Sequence, residues 1–180
     1  LIWGHVVNGE PVLEPAFAVT TRPTRPRGRG PFTLRATSAS GATLWTRSFA
    51  GTAIADTPTG ERAFSFAIPT SELHAESVAE LRLEAGGRVA TTYVATATDA
   101  DSGAVRASRA NANWVRLRWD AARHPVLMVR DARTGAVLSF ARGGDATVRS
   151  AAAGVDETVD VALPNRVQRA WHRLHVGAAQ

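Results

Sequence analysis

Residues Asn113 to Gly144 read NWVRLRWDAARHPVLMVRDARTGAVLSFARGG, and their reading decides the fold class. Three short apolar runs are joined by two loops of the kind that reverse a β-chain. In the first run Val115, Leu117 and Trp119 alternate with Arg116, Arg118 and Asp120, which predicts a half-buried strand with the apolar three turned inward. A one-residue slip would bury two guanidinium groups, so the register is strongly specified. Asp120 to Pro125 breaks the pattern and Val126 to Asp131 resumes the alternation. Ala132-Arg133-Thr134-Gly135 then supplies a turn in which glycine takes a positive φ at no steric cost. Ala136 to Arg142 runs back and Gly143-Gly144 ends it. No 3.6-residue period competes, so the second half of the chain is expected to be an antiparallel sandwich.

Working outward, the N-terminal half repeats the theme. Leu1 to Val7 reads as a strand, Asn8-Gly9 as a two-residue hairpin turn, and Val12 to Thr20 as the partner, held to an edge by Pro11 and Pro15. Thr21 to Pro31, TRPTRPRGRGP, cannot fill a core and is expected to be an exposed loop. Phe32 to Ala36 and Ala42 to Ala50 form a second hairpin, and Gly51 to Gly60 reads as a loop. Phe64, Phe66 and Ile68 define a strand stopped by Pro69, and Thr70 to Ser77 has room for one helical turn. Ala79 to Glu84 and Val89 to Thr96 pair across Gly86-Gly87. Thr98 to Ala104, TDADSGA, is small and polar, as a domain boundary should be. Beyond it Val105 to Ala110, Ala146 to Ser150, Thr158 to Leu163 and Arg166 to Val176 join the three strands already described. The expectation is therefore an all-β chain of two tandem immunoglobulin-like antiparallel β-sandwiches, 1–98 and 99–180, with one continuous sandwich as the alternative.

Composition narrows what such a scaffold can do. Cysteine is absent from the 180 residues, so no disulfide staples the fold and no thiolate serves as nucleophile or ligand. All 21 basic residues are arginine, a bias that a GC-rich genome produces without selection. Residues 1–98 hold 9 arginines against 8 acids and residues 99–180 hold 12 against 8, so the second half is the basic one. No apolar run reaches the roughly 18 residues of a membrane span. The chain starts at Leu1 without an initiator methionine or signal sequence, and reads as a processed or excised piece, compatible with export.

The run VRLRWDAARHPVLMVRDARTGAVLSFARGG, the opening IWGHVVNGEPVLEPAF and the PFTLRATSASGATLWTRSF hairpin together resemble the tandem β-sandwich modules of secreted and cell-envelope bacterial proteins, fibronectin type III or other immunoglobulin-like domains among them. The similarity covers most of the chain in pattern rather than in motif. It implies a non-catalytic role and places no catalytic residue on any position.

Candidate chemistry is sparse. No Gly-x-Ser-x-Gly elbow occurs, and of the five histidines His172 and His175 stand three apart, on opposite faces of a strand. Asp99 and Asp101, in DADSG, are weak candidates for a calcium loop without its distal glutamate. No cofactor is expected. The stronger candidates are contact residues: Arg22, Arg25, Arg27 and Arg29 in the proline-stiffened segment, and Arg116 and Arg118 on the basic half. The expected function is a non-enzymatic structural and binding module, accessory to a larger extracytoplasmic assembly (periplasmic, cell-surface or secreted) and attached through protein–protein contacts. Acidic surfaces and polysaccharide are further partners to consider, and nucleic acid is not expected. The alternative is a carbohydrate-binding accessory module of a secreted enzyme, which would need exposed planar aromatics drawn from Trp3, Trp45, Trp114 and Trp171.

Overall fold

The computed structural model describes residues 1–25, 28–55, 57, 60–94, 105–149, 158–164 and 171–176. These residues are almost entirely β, in four antiparallel sheets that fall into two compact units. Asp99 and Asp101, the 98/99 boundary and Arg27 lie outside the described residues.

In the first unit β1 (Ile2–Val7) turns into β2 (Glu10–Leu13). Asn8 and Gly9 both take positive φ, 54° and 76°, as a type I′ hairpin turn demands. The partner strand is shorter than Val12 to Thr20, ending at Leu13; Pro15 has no amide to give the ladder, although beyond it Phe17 exchanges backbone bonds with Leu1. There follow β3 (Phe32–Thr37), β4 (Thr43–Phe49), a two-residue β5 (Thr52–Ala53) inside the expected loop, β6 (Arg62–Phe66), the single turn α1 (Thr70–Leu73), β7 (Glu80–Ala85) and β8 (Arg88–Tyr93). The sheets run β2-β1-β6-β5 and β4-β3-β7-β8. Ile2, Val6, Phe64 and Phe66 of one and Phe32, Leu34, Phe49, Leu81 and Leu83 of the other form a common core. Phe49 is its hub, with ring centroids 4.9 Å from Phe66, 5.0 Å from Phe64 and 5.7 Å from Phe32. Gly4 lets β1, β2 and β6 close: a Cβ there would stand 2.2 Å from the Val12 carbonyl oxygen and 2.8 Å from the Phe64 ring.

The second unit contains β9 (Val105–Asn111), β10 (Trp114–Trp119), β11 (Val126–Asp131), β12 (Val137–Arg142), β13 (Asp145–Arg149), β14 (Thr158–Ala162) and β15 (Trp171–His175), ordered β13-β10-β9 and β12-β11-β14-β15. β10 takes the register its alternation predicts, with Val115, Leu117 and Trp119 buried and Arg116 and Arg118 exposed. These three join Leu127, Val129, Val148, Val159 and Val161 in one cluster, each such side chain contributing about 1.5–3 kcal/mol on burial. β11 departs from the expected one-sided burial. Val126 and Met128, on the face opposite Leu127 and Val129, are buried as completely as they are, so the run Val126-Leu127-Met128-Val129 behaves as a strand covered on both faces.

Two loops are fixed by carboxylates. Asp120 Oδ1 accepts from the Ala122 amide at 2.9 Å, while the Trp119 indole donates to the His124 carbonyl at 2.7 Å. Asp131 Oδ1 accepts from the Thr134 amide (2.6 Å), the Thr134 hydroxyl (2.8 Å) and the Arg133 amide (3.0 Å). These bonds close the turn for which Gly135 takes φ 72°. They also hold the Asp131 carboxyl below its ordinary pKa, the Thr134 bonds contributing most.

Candidate functional site

The two arginine clusters singled out in the sequence meet different fates. In the segment between β2 and β3, Arg22 and Arg29 are exposed, but the middle of the segment is fastened. The Thr24 amide donates to the Ala67 carbonyl and the Ala67 amide to the Thr24 hydroxyl, both at 2.9 Å. Arg25 pairs with Glu72 at 2.8 Å, and the other Glu72 oxygen accepts from the Trp45 indole at 3.4 Å. Thr24 and Arg25 are thus exposed but fastened, and Arg25 has an internal partner that sequence spacing did not show.

On β10 the cluster grows. Register places Trp114 between Arg149 and Asn111, Arg116 between Thr147 and Ser108, and Arg118 between Asp145 and Arg106. The alternation that buries Val115 and Leu117 turns Trp114, Arg116 and Arg118 outward, and a bulge opposite Trp114 and Val115 brings the exposed Asn111 into the first row, giving a three-by-three face with four arginines against one aspartate. Asp145 sits beside two of the cations. It accepts from Arg116 Nε at 2.9 and 3.1 Å, from Arg116 Nη2 at 2.5 Å and from Arg118 Nε at 3.4 Å. These bonds, that of Arg116 first, hold the Asp145 carboxyl below its ordinary value. Arg106 and Arg149 have no acidic partner among the described residues. Of the four tryptophans open to surface work, Trp114 is the exposed one, at 41%. Trp3 is half-buried with its indole on the Pro15 carbonyl, and Trp45 is held by Glu72.

The opposite sheet of this unit carries a network the sequence reading missed. Asp160, 2% exposed, lies between Arg130 on β11 and Arg173 on β15 in register. Arg130 donates from Nε and Nη2 at 3.1 and 2.9 Å, and Arg173 from Nε at 3.0 Å. Burial alone would raise the Asp160 pKa, but the bonds from Arg173 and Arg130 outweigh it and the net direction is down. The Arg130 guanidinium also lies 3.8 Å above the Trp171 ring. An Asp flanked by β-branched residues in Val159-Asp160-Val161 was the available signal. Its partners, 30 residues upstream and 13 downstream, follow only from the register.

The histidines are scattered: His5 on β1, His74 after α1, His124 between β10 and β11, and His172 and His175 on opposite faces of β15. Among the described residues no group of three or more His, Asp or Glu side chains is placed to hold a metal ion. No described helix is long and apolar enough to cross a membrane. A cavity of about 340 Å³ lies beside Arg25 and the Phe49, Phe64 and Phe66 rings. Another of about 340 Å³ is lined by Arg82, Glu84 and Arg88, where Arg82 pairs with Glu84 and Arg88 with Glu10. Compared with protein-family models, curated proteins and solved structures, the chain finds no match.

Proposed function

We propose that the chain is a non-enzymatic structural and binding module, an accessory part that attaches to a larger extracytoplasmic assembly through protein–protein contacts. One observation carries this reading: the basic segment is exposed at Arg22 and Arg29 yet fastened at Thr24 and Arg25. A segment held in this way has less conformational entropy to lose on binding than a free loop, and loops on a rigid β scaffold are where contact residues concentrate. The arginine fork pairs bidentately with carboxylates, so an acidic protein surface is the complementary partner. The pattern resemblance to fibronectin type III and immunoglobulin-like modules points the same way.

The test is affinity purification from the medium and envelope fractions of the source organism, with wild type beside the Arg22→Ser/Arg29→Ser variant. A partner should be recovered in stoichiometric amount with wild type, fade as salt rises, and be lost with the variant while the melting temperature stays within about 2 °C. Equal recovery by both proteins at every salt concentration overturns the reading.

A further inference from the structure

We infer that the outer face of the β13-β10-β9 sheet binds a linear anionic polysaccharide, one bearing carboxylates or sulfates. This goes beyond the protein contacts proposed above and uses different residues. The face is largely polar, formed by the rows Arg149/Trp114/Asn111, Thr147/Arg116/Ser108 and Asp145/Arg118/Arg106.

Size argues for a chain-like ligand. With strands about 4.8 Å apart and same-face residues about 6.8 Å apart along a strand, the grid spans about 10 by 14 Å between Cα positions. That is about 140 Å² between Cα positions, well short of the roughly 800 Å² that each partner gives to an ordinary protein interface. A few sugar rings lying along β10 would fill it. Trp114 offers an apolar platform on which the face of a pyranose can stack, and it is exposed rather than drawn into the core. Charge then selects among sugars. A neutral glycan would leave the Arg106 and Arg149 guanidinium groups unmatched, whereas carboxylates or sulfates pair with them in fork geometry. Asp145 occupies the Nε and Nη2 side of Arg116 and so fixes that side chain, while Arg106 and Arg149 stand at opposite corners with no acidic neighbour among the described residues. Single-stranded nucleic acid fits less well, since its platforms stack successive bases on several aromatics and this face has one.

Binding is measured by calorimetry against polygalacturonate, heparin, neutral dextran and a thymidine oligonucleotide. At about 50 mM salt, polygalacturonate or heparin should bind, neutral dextran should not, and the oligonucleotide should bind more weakly. Trp114→Ala should weaken the anionic glycan about tenfold with the salt dependence unchanged. Arg106→Ser and Arg149→Ser should each lower the slope of log affinity against log salt by about one. Melting curves confirm that the variants, all at exposed positions, remain folded. The inference is overturned if neither anionic glycan binds, if Trp114→Ala binds as wild type does, or if the oligonucleotide binds more tightly than either glycan.

Discussion

The first unit fills its core with phenylalanine, three rings gathered around Phe49, whereas the second uses valine and leucine with Trp119 at one end. The second also buries two carboxylates, Asp131 and Asp160, and among the described residues the first buries none. Both units close two small antiparallel sheets without a disulfide, yet the chemistry that closes them differs. A ring cluster has no titratable part, so its contribution is indifferent to pH. A buried carboxylate holds strands or a turn only while it is ionised and bonded.

The largest expected effect tests the ring cluster. Phe49→Ala removes the hub of the aromatic contacts at a site only 1% exposed and should cost about 3–5 kcal/mol in urea unfolding. Trp119→Ala should fall at the lower end of that range, because the indole is 8% exposed, although the His124 carbonyl also loses its donor. A Phe49→Ala cost below about 1 kcal/mol would mean that the rings are not what holds the first unit together.

Next in size is Asp160. Removing one partner of a fully buried ion pair costs about 3–5 kcal/mol. Arg130 is 20% exposed and Arg173 59%, so the released cations recover part of their hydration. Asp160→Asn should accordingly cost about 2 kcal/mol, and Arg173→Ala distinctly less. Equal costs for the two would show that Arg130, with its ring contact to Trp171, does not depend on Asp160.

Asp131 gives the pH arm of the comparison. Its carboxyl is held below its unfolded value near 3.9. The stability it contributes is therefore complete above that value and is lost as pH falls through the folded pKa, and Asp160 acts in the same direction. Below about pH 4 the second unit should weaken while the phenylalanine cluster of the first holds. Asp131→Ala should cost about 1–2 kcal/mol at pH 7, since three hydrogen bonds to the turn disappear, and should flatten the acid limb of the stability curve. A variant that keeps the wild-type acid limb would remove Asp131 from this account.

Strands were legible wherever a single face is buried. The register of β10 follows from Val115, Leu117 and Trp119 alone, because a period of two has two settings and one of them buries arginines. β11 was read as alternating, but its four consecutive apolar residues were themselves the mark of a strand covered on both faces. What the sequence could not show is who lies beside whom. Asp145 meets Arg116 across 29 positions, Thr24 meets Ala67 across 43 and Asp160 meets Arg130 across 30, and each meeting depends on strand pairing that local pattern does not encode. The two-residue β5 is likewise set by its pairing with β6 rather than by any run of its own. The arginines were therefore found by composition, while their division into fastened and outward-facing side chains came from the fold.

The smallest expected effect separates the two fastenings of the basic segment. Arg25 is 64% exposed and Glu72 33%, so their ion pair is screened by water and contributes at most a few tenths of a kcal/mol. Thr24 instead exchanges bonds with the Ala67 backbone, an interaction that salt does not weaken. Arg25→Ser should then leave the melting temperature within about 1 °C of wild type, and partner recovery in the affinity experiment should fall only modestly. Thr24→Ala deletes the hydroxyl that satisfies the Ala67 amide and should lower recovery more, although Arg22 and Arg29 remain in place. If Arg25→Ser abolishes recovery while Thr24→Ala does not, the ion pair with Glu72, and not the backbone exchange with Ala67, is what presents the segment.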